Sequence, residues 1–551
     1  MDKMPITILE KISKLIVKFN GITNSKINLI LKGSAVFWIE NKTKENYPND
    51  LDFSISETNL ESKQQFLNYI EKNAEIKITK NDGNLFIFSL DNFNIEIVLL
   101  EHLNRKFLEE SEYEGILFLK KIWSFSQKLL SLPYILSDYF PHDQDQKISR
   151  TLAQLSKWKS MIDTNLLFTN EAIDFLKHCM WNSFFIFYWY NYTEMLVFDY
   201  GKSEILTKIS LDLNTIEIIE KFYEFFSKNS KINKIVHICD LILKNKEKII
   251  NFLLKGYDEI SLPGTEFNFL RKIFNINQNK SEQNLVYFQK NSNSDNIFVS
   301  HSDEAGGLLV DGKIYNLGTY NWKSGLYNLY DLSGKIVGKT NGIPIEESKW
   351  SVEYQAKIPR SRLKIDYENK ENEILQIVSS QKTLFNEHIF LSRNHDNRIN
   401  TLILSIFDNF EISKFNFLIT TREEVQLQSA KTAFVKEIIQ KNNFIYNLEV
   451  SASQHWDKEN LLIRVADFYT GINAEMINKI ARVFDDFAIP FKYYFGSGST
   501  DQTEFQFKNS VTIAIPANEI HSYSSKILIK NIFYMFLAIG VLNDSFSEKL
   551  L

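Results

Sequence analysis

Apolar and polar positions change their rhythm several times along this chain, and the changes divide it. Over residues 1–110 helical and strand patterns alternate. Ile8–Asn20 carries apolar residues three and four apart, which predicts an amphipathic helix, and Leu60–Asn73 returns to that spacing. Asn28–Leu31 reads as a short strand and Leu51–Ile55 alternates about Asp52. Leu85–Leu90 and Phe93–Leu100 are β-rich runs separated by Asp91-Asn92, a hairpin signal. From about Gly115 to Lys255 long apolar stripes with lysine-rich opposite faces predict a helical bundle. Near Gly256 strand signals take over, in Asn284–Gln289, Asn296–Ser300, Gly307–Val310 and further short runs to about Val378. Gly318, Gly325, Gly334, Gly338 and Gly342 punctuate that stretch, as expected for a small barrel. From Thr383 strands and helices alternate to the C-terminus, an α/β pattern. The expected fold class is therefore a multidomain chain of α/β and α+β parts. Its pieces are an α+β core over 1–114, a helical domain over 115–250, then a β-rich stretch with a small barrel and a closing α/β part.

Composition narrows the class. At 551 residues the chain exceeds one ordinary core, and 44% hydrophobic with 24% charged residues is the make-up of a globular protein rather than a disordered one. A net charge of −5 gives no overall attraction to nucleic acid. Cys179 and Cys239 are the only cysteines and both fall in helical patterns, which argues against a disulfide framework and for a reducing cytoplasm. The segment Met1-Asp-Lys-Met-Pro5 lacks the apolar stretch of a signal peptide. Phe184–Tyr190 and Ile532–Leu542 are the greasiest runs, shorter than the roughly 20 residues of a membrane span, and read as buried helices with no membrane partner.

Candidate chemistry sits at both ends. A site for two divalent cations needs histidines and carboxylates as ligands, one carboxylate to bridge and one left free as a base. His301 is a candidate ligand, and Asp303, two residues on, falls on the same side of an extended strand end, where it can fix the imidazole tautomer. Asp396, in Asn394-His-Asp-Asn-Arg398, is the candidate bridge. Glu423 and Glu424 follow the apolar strand Phe415–Ile419, one to act as base and the other as ligand. Glu449 and His521 complete one ligand on each cation. His395 and His455 read as ordinary loop residues.

The order His301-x-Asp-Glu304, Asp396-Asn-Arg398, Glu423-Glu-Val425, Gly498-Ser-Thr-Asp501 and Ile515-Pro516 with His521 resembles the tetrahedral, or glutamyl, aminopeptidase family of dinuclear metallopeptidases. Leu262-Pro-Gly-Thr-Glu266 is similar to the family's opening segment and Gly312–Ile343 resembles its inserted barrel, which implies a catalytic domain over 251–304 and 380–551 with a β-barrel domain inserted at 305–379. The resemblance covers roughly residues 250–545. It implies His301 and His521 as terminal ligands, Asp396 as bridge, Glu423 as base, and Glu424 and Glu449 as ligands of two zinc, cobalt or manganese ions. A peptide or amino-acyl substrate and a homo-oligomer are implied with them. Three positions depart from the family pattern: Glu449 stands where Asp is usual, Gln426 where Gly is usual, and Asn518-Glu519-Ile520 where an Arg-Tyr pair precedes the last His.

Near the N-terminus, Leu31-Lys-Gly-Ser34 is followed by Asn49-Asp-Leu-Asp-Phe53 and by Asn94-Ile-Glu-Ile-Val98. A Gly33-Ser34 turn can meet phosphate oxygens, Asp50 and Asp52 can hold Mg²⁺, and Glu96 supplies a third acid on a neighbouring strand. Lys128, in a later helix, is placed to reach a triphosphate. Residues 25–160 resemble the nucleotidyltransferase toxins of type IV toxin–antitoxin systems, of the AbiE kind. The family's later aspartate-rich helix motif is missing, since Lys147–Leu155 has Thr151 and Gln154 where acids are expected. The resemblance implies an NTP, Mg²⁺ and a tRNA or protein acceptor. The chain as a whole is expected to be a bifunctional enzyme in a toxin, defence or peptide-tailoring role. The alternative is that one half is an inactive scaffold or sensor.

Overall fold

The structure, a computed structural model, describes residues 4–23, 26–41, 48, 50–55, 60–73, 75–81, 85–98, 103–135, 144–183, 212–274, 286–288, 294–318, 320–351, 356–367, 373–386, 388–410, 412, 415–454, 456–466, 471, 473–496, 500–505 and 509–545. Phe184–Tyr190, His455, Asn49 and the Gly498-Ser499 pair lie outside them. The chain forms two compact units, Met1–Lys244 and Asn245–Leu551.

In the first unit the alternating runs become a seven-stranded mixed sheet. Its strands are β1 (Leu29–Lys32), β2 (Asp50–Ile55), β3 (Ile76–Asn81), β4 (Leu85–Leu90), β5 (Phe93–Val98), β6 (Leu108–Glu110) and β7 (Ile116–Leu119), in the order β3-β4-β5-β2-β1-β7-β6. Leu51, Phe53, Ile95 and Ile97 point into a core shared with Ile8, Ile12 and Ile16 of the helix Met4–Thr23 and Phe66 and Ile70 of the helix Leu60–Glu71. Asp91 and Asn92 both take positive φ, 52° and 62°, the geometry of a two-residue hairpin turn. β7 corrects the helical reading from Gly115. Ile116–Leu119 pairs in parallel with β1, and a four-residue apolar run cannot be told from a helix by period alone. Helices then follow at Lys121–Ile135, Gln144–Trp158, Asn170–Ser183, Leu213–Ser227 and Ser230–Lys244.

In the second unit a ten-stranded sheet carries the chemistry. It begins with β8 (Val286–Phe288) and β9 (Asn296–His301). The chain then builds a separate six-stranded antiparallel sheet from β10 (Gly306–Val310), β11 (Lys313–Leu317), β12 (Gly325–Tyr330), β13 (Ile336–Ser351), β14 (Ala356–Ile365) and β15 (Ile374–Ser379). Its order is β11-β10-β15-β12-β13-β14, and among the described residues no pairing joins the two outer strands. The closure expected of a barrel is therefore not seen in the pairing. The first sheet resumes with β16 (Leu384–Phe385), β17 (Ile389–Ser392), β18 (Asn416–Thr420), β19 (Phe444–Ala452), β20 (Leu461–Ala466), β21 (Phe491–Phe495), β22 (Asn509–Ala517) and β23 (Ser525–Leu528). β22, β19, β9 and β18 lie side by side and parallel. From β9 the chain adds β18 on one side and then β19 on the other, so the winding reverses there. In open α/β sheets that reversal opens a crevice at the carboxyl ends of the strands.

Helix Arg398–Asn409 is buried along nearly its whole length, and its first residue is a fully buried arginine. Arg398 Nη1 donates to Glu304 Oε1 at 2.5 Å, Arg393 Nε donates to Glu304 Oε2 at 3.1 Å, and the Ser261 amide donates to Glu304 Oε1 at 3.0 Å. The Arg398 guanidinium also caps the Gly256 and Glu259 carbonyls and lies over the Tyr257 and Phe269 rings. Removing one partner of such a group leaves a buried charge uncompensated. Arg398→Leu is expected to destabilise the protein by about 3–5 kcal/mol in urea unfolding, and a loss below about 1 kcal/mol would show that the cluster is not under electrostatic load. The apolar run Ile532–Leu542 is buried in the helix Ile529–Ser545, and no described helix is long and apolar enough to cross a membrane.

Candidate metal centre and a second carboxylate cluster

The candidate ligands of the second unit gather at the crevice end of the sheet. His301 is the last residue of β9, and Asp303 follows it. Glu423 and Glu424 lie three and four residues past β18, Glu449 lies within β19, and His521 lies four residues past β22. Asp396 occupies the turn between β17 and the helix Arg398–Asn409, and its peptide bond to Asn397 is cis. Asn400 Nδ2 donates to the Glu449 carbonyl at 2.9 Å, and Asn397 Nδ2 donates to that of Leu448, which ties the Asp396 turn to β19.

These residues converge in two groups that share Asp396. His301, Asp396 and Glu449 offer ligand atoms within 4.8 Å of one another, and so do Asp396, Glu424 and His521. His301 Nε2 lies 3.4 Å from Asp396 Oδ1 and 3.7 Å from Glu449 Oε2. His521 Nε2 lies 2.9 Å from both Asp396 Oδ2 and Glu424 Oε1. Asp396 thus offers one oxygen to each group. The far nitrogen of His301, Nδ1, faces Asp303, 3.2 Å from its carbonyl and 3.4 Å from its Oδ1. With the Nδ1 proton directed at Asp303, Nε2 keeps its lone pair for a cation. The Asp303 carboxylate also accepts the amides of Glu423 and Glu424 at 3.0 Å each, so one buried acid sets both His301 and the Glu-Glu turn.

The electrostatics of the group fit cations. Burial works against charge on His301, yet Glu423, Asp303, Asp396 and Glu449 outweigh it and hold the imidazole well above its ordinary value. Burial opposes charge on His521 too, and Glu424 and Asp396 raise it in the same way. Burial pushes Glu449 up to about 7, and burial also raises Glu423, against the pull of His301 and with help from Glu449, Glu424 and Asp501. Asp396 Oδ1 and Glu424 Oε1 are buried and accept no hydrogen bond of good geometry. Buried carboxylates this dense, with two imidazoles among them, suit hard or borderline divalent cations.

Two further buried acids were not assigned a role from the sequence. Asp501, quoted only as part of a motif, accepts from Thr420 Oγ1, leaves Oδ1 without a donor, and is raised by burial to about 6. Glu266 is fully buried, accepts from the Gly264 amide at 2.7 Å, and is raised by burial to about 7. Their acidic character was visible in the sequence, but their burial beside Asp303 was not.

The N-terminal candidates also share one edge. β2 runs parallel to β5 with Asp50 opposite Asn94 and Asp52 opposite Glu96, while Lys32 of β1 stands opposite Asp52. Asp50, Asp52 and Glu96 are half-buried on the face opposite Leu51, Phe53 and Ile95. Gly33 takes φ 69° directly after β1, and a Cβ there would meet Asp52 Oδ2 at 2.6 Å. Only glycine gives both that backbone conformation and that approach. Ser34 opens the helix Ser34–Asn41, and Lys128 lies half-buried in the helix Lys121–Ile135. Among the described residues, the groups of three ligand atoms at cation spacing are the two of the second unit.

An α/β unit with a histidine–carboxylate cage at the carboxyl ends of its parallel strands is the class of protein that fold and site define. Residues 365–535 match the peptidase family M42, described as M42 glutamyl aminopeptidase. That span contains Asp396, Glu423, Glu424, Glu449 and His521, while His301 and Asp303 precede it. Solved structures similar to the chain include a TET aminopeptidase from a marine sediment archaeon of the Thaumarchaeota, at 16% identity over 55% of this chain and 98% of that one, with a TM-score of 0.45. Others are an aminopeptidase of Desulfurococcus kamchatkensis (13% identity, 54% and 95% covered, TM-score 0.44) and the TET1 peptidase of Pyrococcus horikoshii (17%, 54% and 99%, 0.42). These likenesses are too low to add to the assignment. No curated protein matches the chain.

Proposed function

We propose that the second unit is a two-cation hydrolase of aminopeptidase type, acting on a peptide or amino-acyl amide bond. The observation that carries this reading is the pair of groups sharing Asp396, most of whose members fall within the family match. His301, Asp396 and Glu449 would hold one ion and Asp396, Glu424 and His521 the other. The bound ions, zinc, cobalt or manganese, would polarise the scissile carbonyl and lower the pKa of water. Glu423 is in neither group. It takes the proton from the attacking water at its carboxylate and passes it to the departing amine. Asp303 keeps Glu423 and Glu424 in register through their amides. Metal analysis with a panel of aminoacyl anilides tests this. A purified protein that binds no divalent cation and cleaves none of them removes the assignment, and leaves this half as scaffold or sensor.

A second activity is favoured by one observation in the first unit, the register of Asp52 with Glu96 beside a glycine that packs on Asp52. In this reading the unit transfers a nucleoside monophosphate from an NTP, with Mg²⁺ on Asp50 and Asp52, to a tRNA or protein acceptor. Gly33, Ser34 and Lys128 would face the phosphates. With labelled NTPs and bulk tRNA or protein, transfer is expected from the wild-type protein and background counts from Asp52→Ala. Equal labelling by the variant would refute the site.

A further inference from the structure

The two cation groups differ in what holds them. His301 and Glu449 lie within β9 and β19, strands zipped into the centre of the sheet. Glu424 and His521 lie in loops, and His521 has φ 50°, a left-handed conformation that a histidine side chain does not favour. Such a conformation persists only where its surroundings fix it. Here the surroundings come from the inserted six-stranded sheet, through Gly318 after β11 and the segment Tyr320–Ser324 before β12. Asn321 donates its amide to the His521 carbonyl at 2.7 Å, and Asn321 and Ser522 form an isolated parallel bridge. Tyr320, itself buried, donates its hydroxyl to the Ser522 carbonyl at 3.0 Å, and Lys323 pairs with Glu519. On the other ligand, a Cβ at Gly318 would fall 2.8 Å from Glu424 Oε2 and 3.2 Å from Ala305 Cβ.

The segment Tyr320–Ser324 is tied to its own sheet. Trp322 is buried and donates Nε1 to Asn316 Oδ1 at 2.9 Å, and the Tyr327 hydroxyl donates to the Lys323 carbonyl at 2.6 Å. Tyr523, just past His521, packs edge-on against Tyr327 and fills the space beside Gly325. The loop bearing His521 is thus bounded on one side by the insertion. The Lys323–Glu519 pair is about 40% exposed on each side, so its share of the grip is small beside the amide and the buried hydroxyl.

We propose that Gly318 and the segment Tyr320–Ser324 form a positioning latch for one cation only, the one held by Asp396, Glu424 and His521. The ion on His301, Asp396 and Glu449 does not depend on it. The inference rests on the two-cation reading of the cage and adds an order to it: the sheet builds one half-site and the insertion completes the other. Gly318, Tyr320, Asn321 and Lys323 touch no substrate and act through Glu424 and His521.

Cobalt(II) alone, titrated into the full chain and followed by equilibrium dialysis and visible absorption, separates the two readings. The wild-type protein is expected to take up two equivalents. Partners that orient a ligand typically control affinity by about 10–100-fold, and that loss is expected on the second equivalent in Tyr320→Phe/Lys323→Ala and, through Glu424, in Gly318→Ala. The first equivalent is expected to keep its wild-type affinity in both, and its retention also reports that the sheet is folded. Equal weakening of both equivalents, or two wild-type affinities in both variants, overturns the latch. A wild-type protein that takes up no cobalt overturns the cage reading and the latch together.

Discussion

Replacing Glu423 with Gln is expected to lower hydrolysis of an aminoacyl anilide by about 10²–10⁴-fold while two divalent cations stay bound, the size of effect that a positioned proton carrier supplies. Glu423 sits beside the cage without belonging to either group, so its loss leaves the ligand set whole. Its place is set through the backbone, by the 3.0 Å bond from its amide to Asp303, which the substitution does not touch. Burial raises its carboxyl most, His301 draws it down, and Glu449, Glu424 and Asp501 push it up again. Two bound cations beside it would pull in the direction of His301 and return it to a base at neutral pH. Gln keeps the shape and cannot take the proton. The check is kcat against KM together with metal content. A variant with cations intact and kcat within about threefold of wild type would show that the proton leaves by another group.

The candidate ligands are legible in the chain because each sits in a short motif. His301 and Asp303 at a strand end, Glu423-Glu424 after the run Phe415–Ile419, and Asp396 before a helix each carry their geometry in a few residues. The parallel strands that gather them are longer and more apolar, and their pairing is non-local. Ile116–Leu119 shows the limit on the other side. Its four apolar residues are a strand only because β1 lies ready to pair with them. The Arg393–Glu304–Arg398 cluster was equally hidden, since nothing in the sequence says that Arg398 meets a carboxylate 94 positions away. The glycines predict a small barrel, and the described pairing gives a six-stranded antiparallel sheet. Gly325 and Gly342 stand where Tyr523 and Tyr327 press against the backbone, a close approach that the sequence does not show.

Replacing Asp396 with Ala is expected to abolish binding of both cations, a larger effect than loss of any terminal ligand. Asp396 is the one residue common to the two groups, and its oxygens face in opposite directions, Oδ1 to His301 and Oδ2 to His521. A ligand that binds only the folded state stabilises it by about 2.7 kcal/mol per site at one hundred times its dissociation constant. The wild-type protein should therefore melt at a higher temperature in cobalt, and the variant should melt at the same temperature with and without it. Protons give an independent readout. Without cations His301 and His521 are held well above the usual imidazole range and Glu449 near 7, so at pH 7 these groups carry protons that ligation must displace. Binding to the wild-type protein is expected to release protons and to strengthen as pH rises, which calorimetry in buffers of different ionisation heat measures directly. In Asp396→Ala both the heat of binding and the released protons should vanish. Two equivalents of cobalt still bound by that variant would mean that the paired groups do not share a bridge.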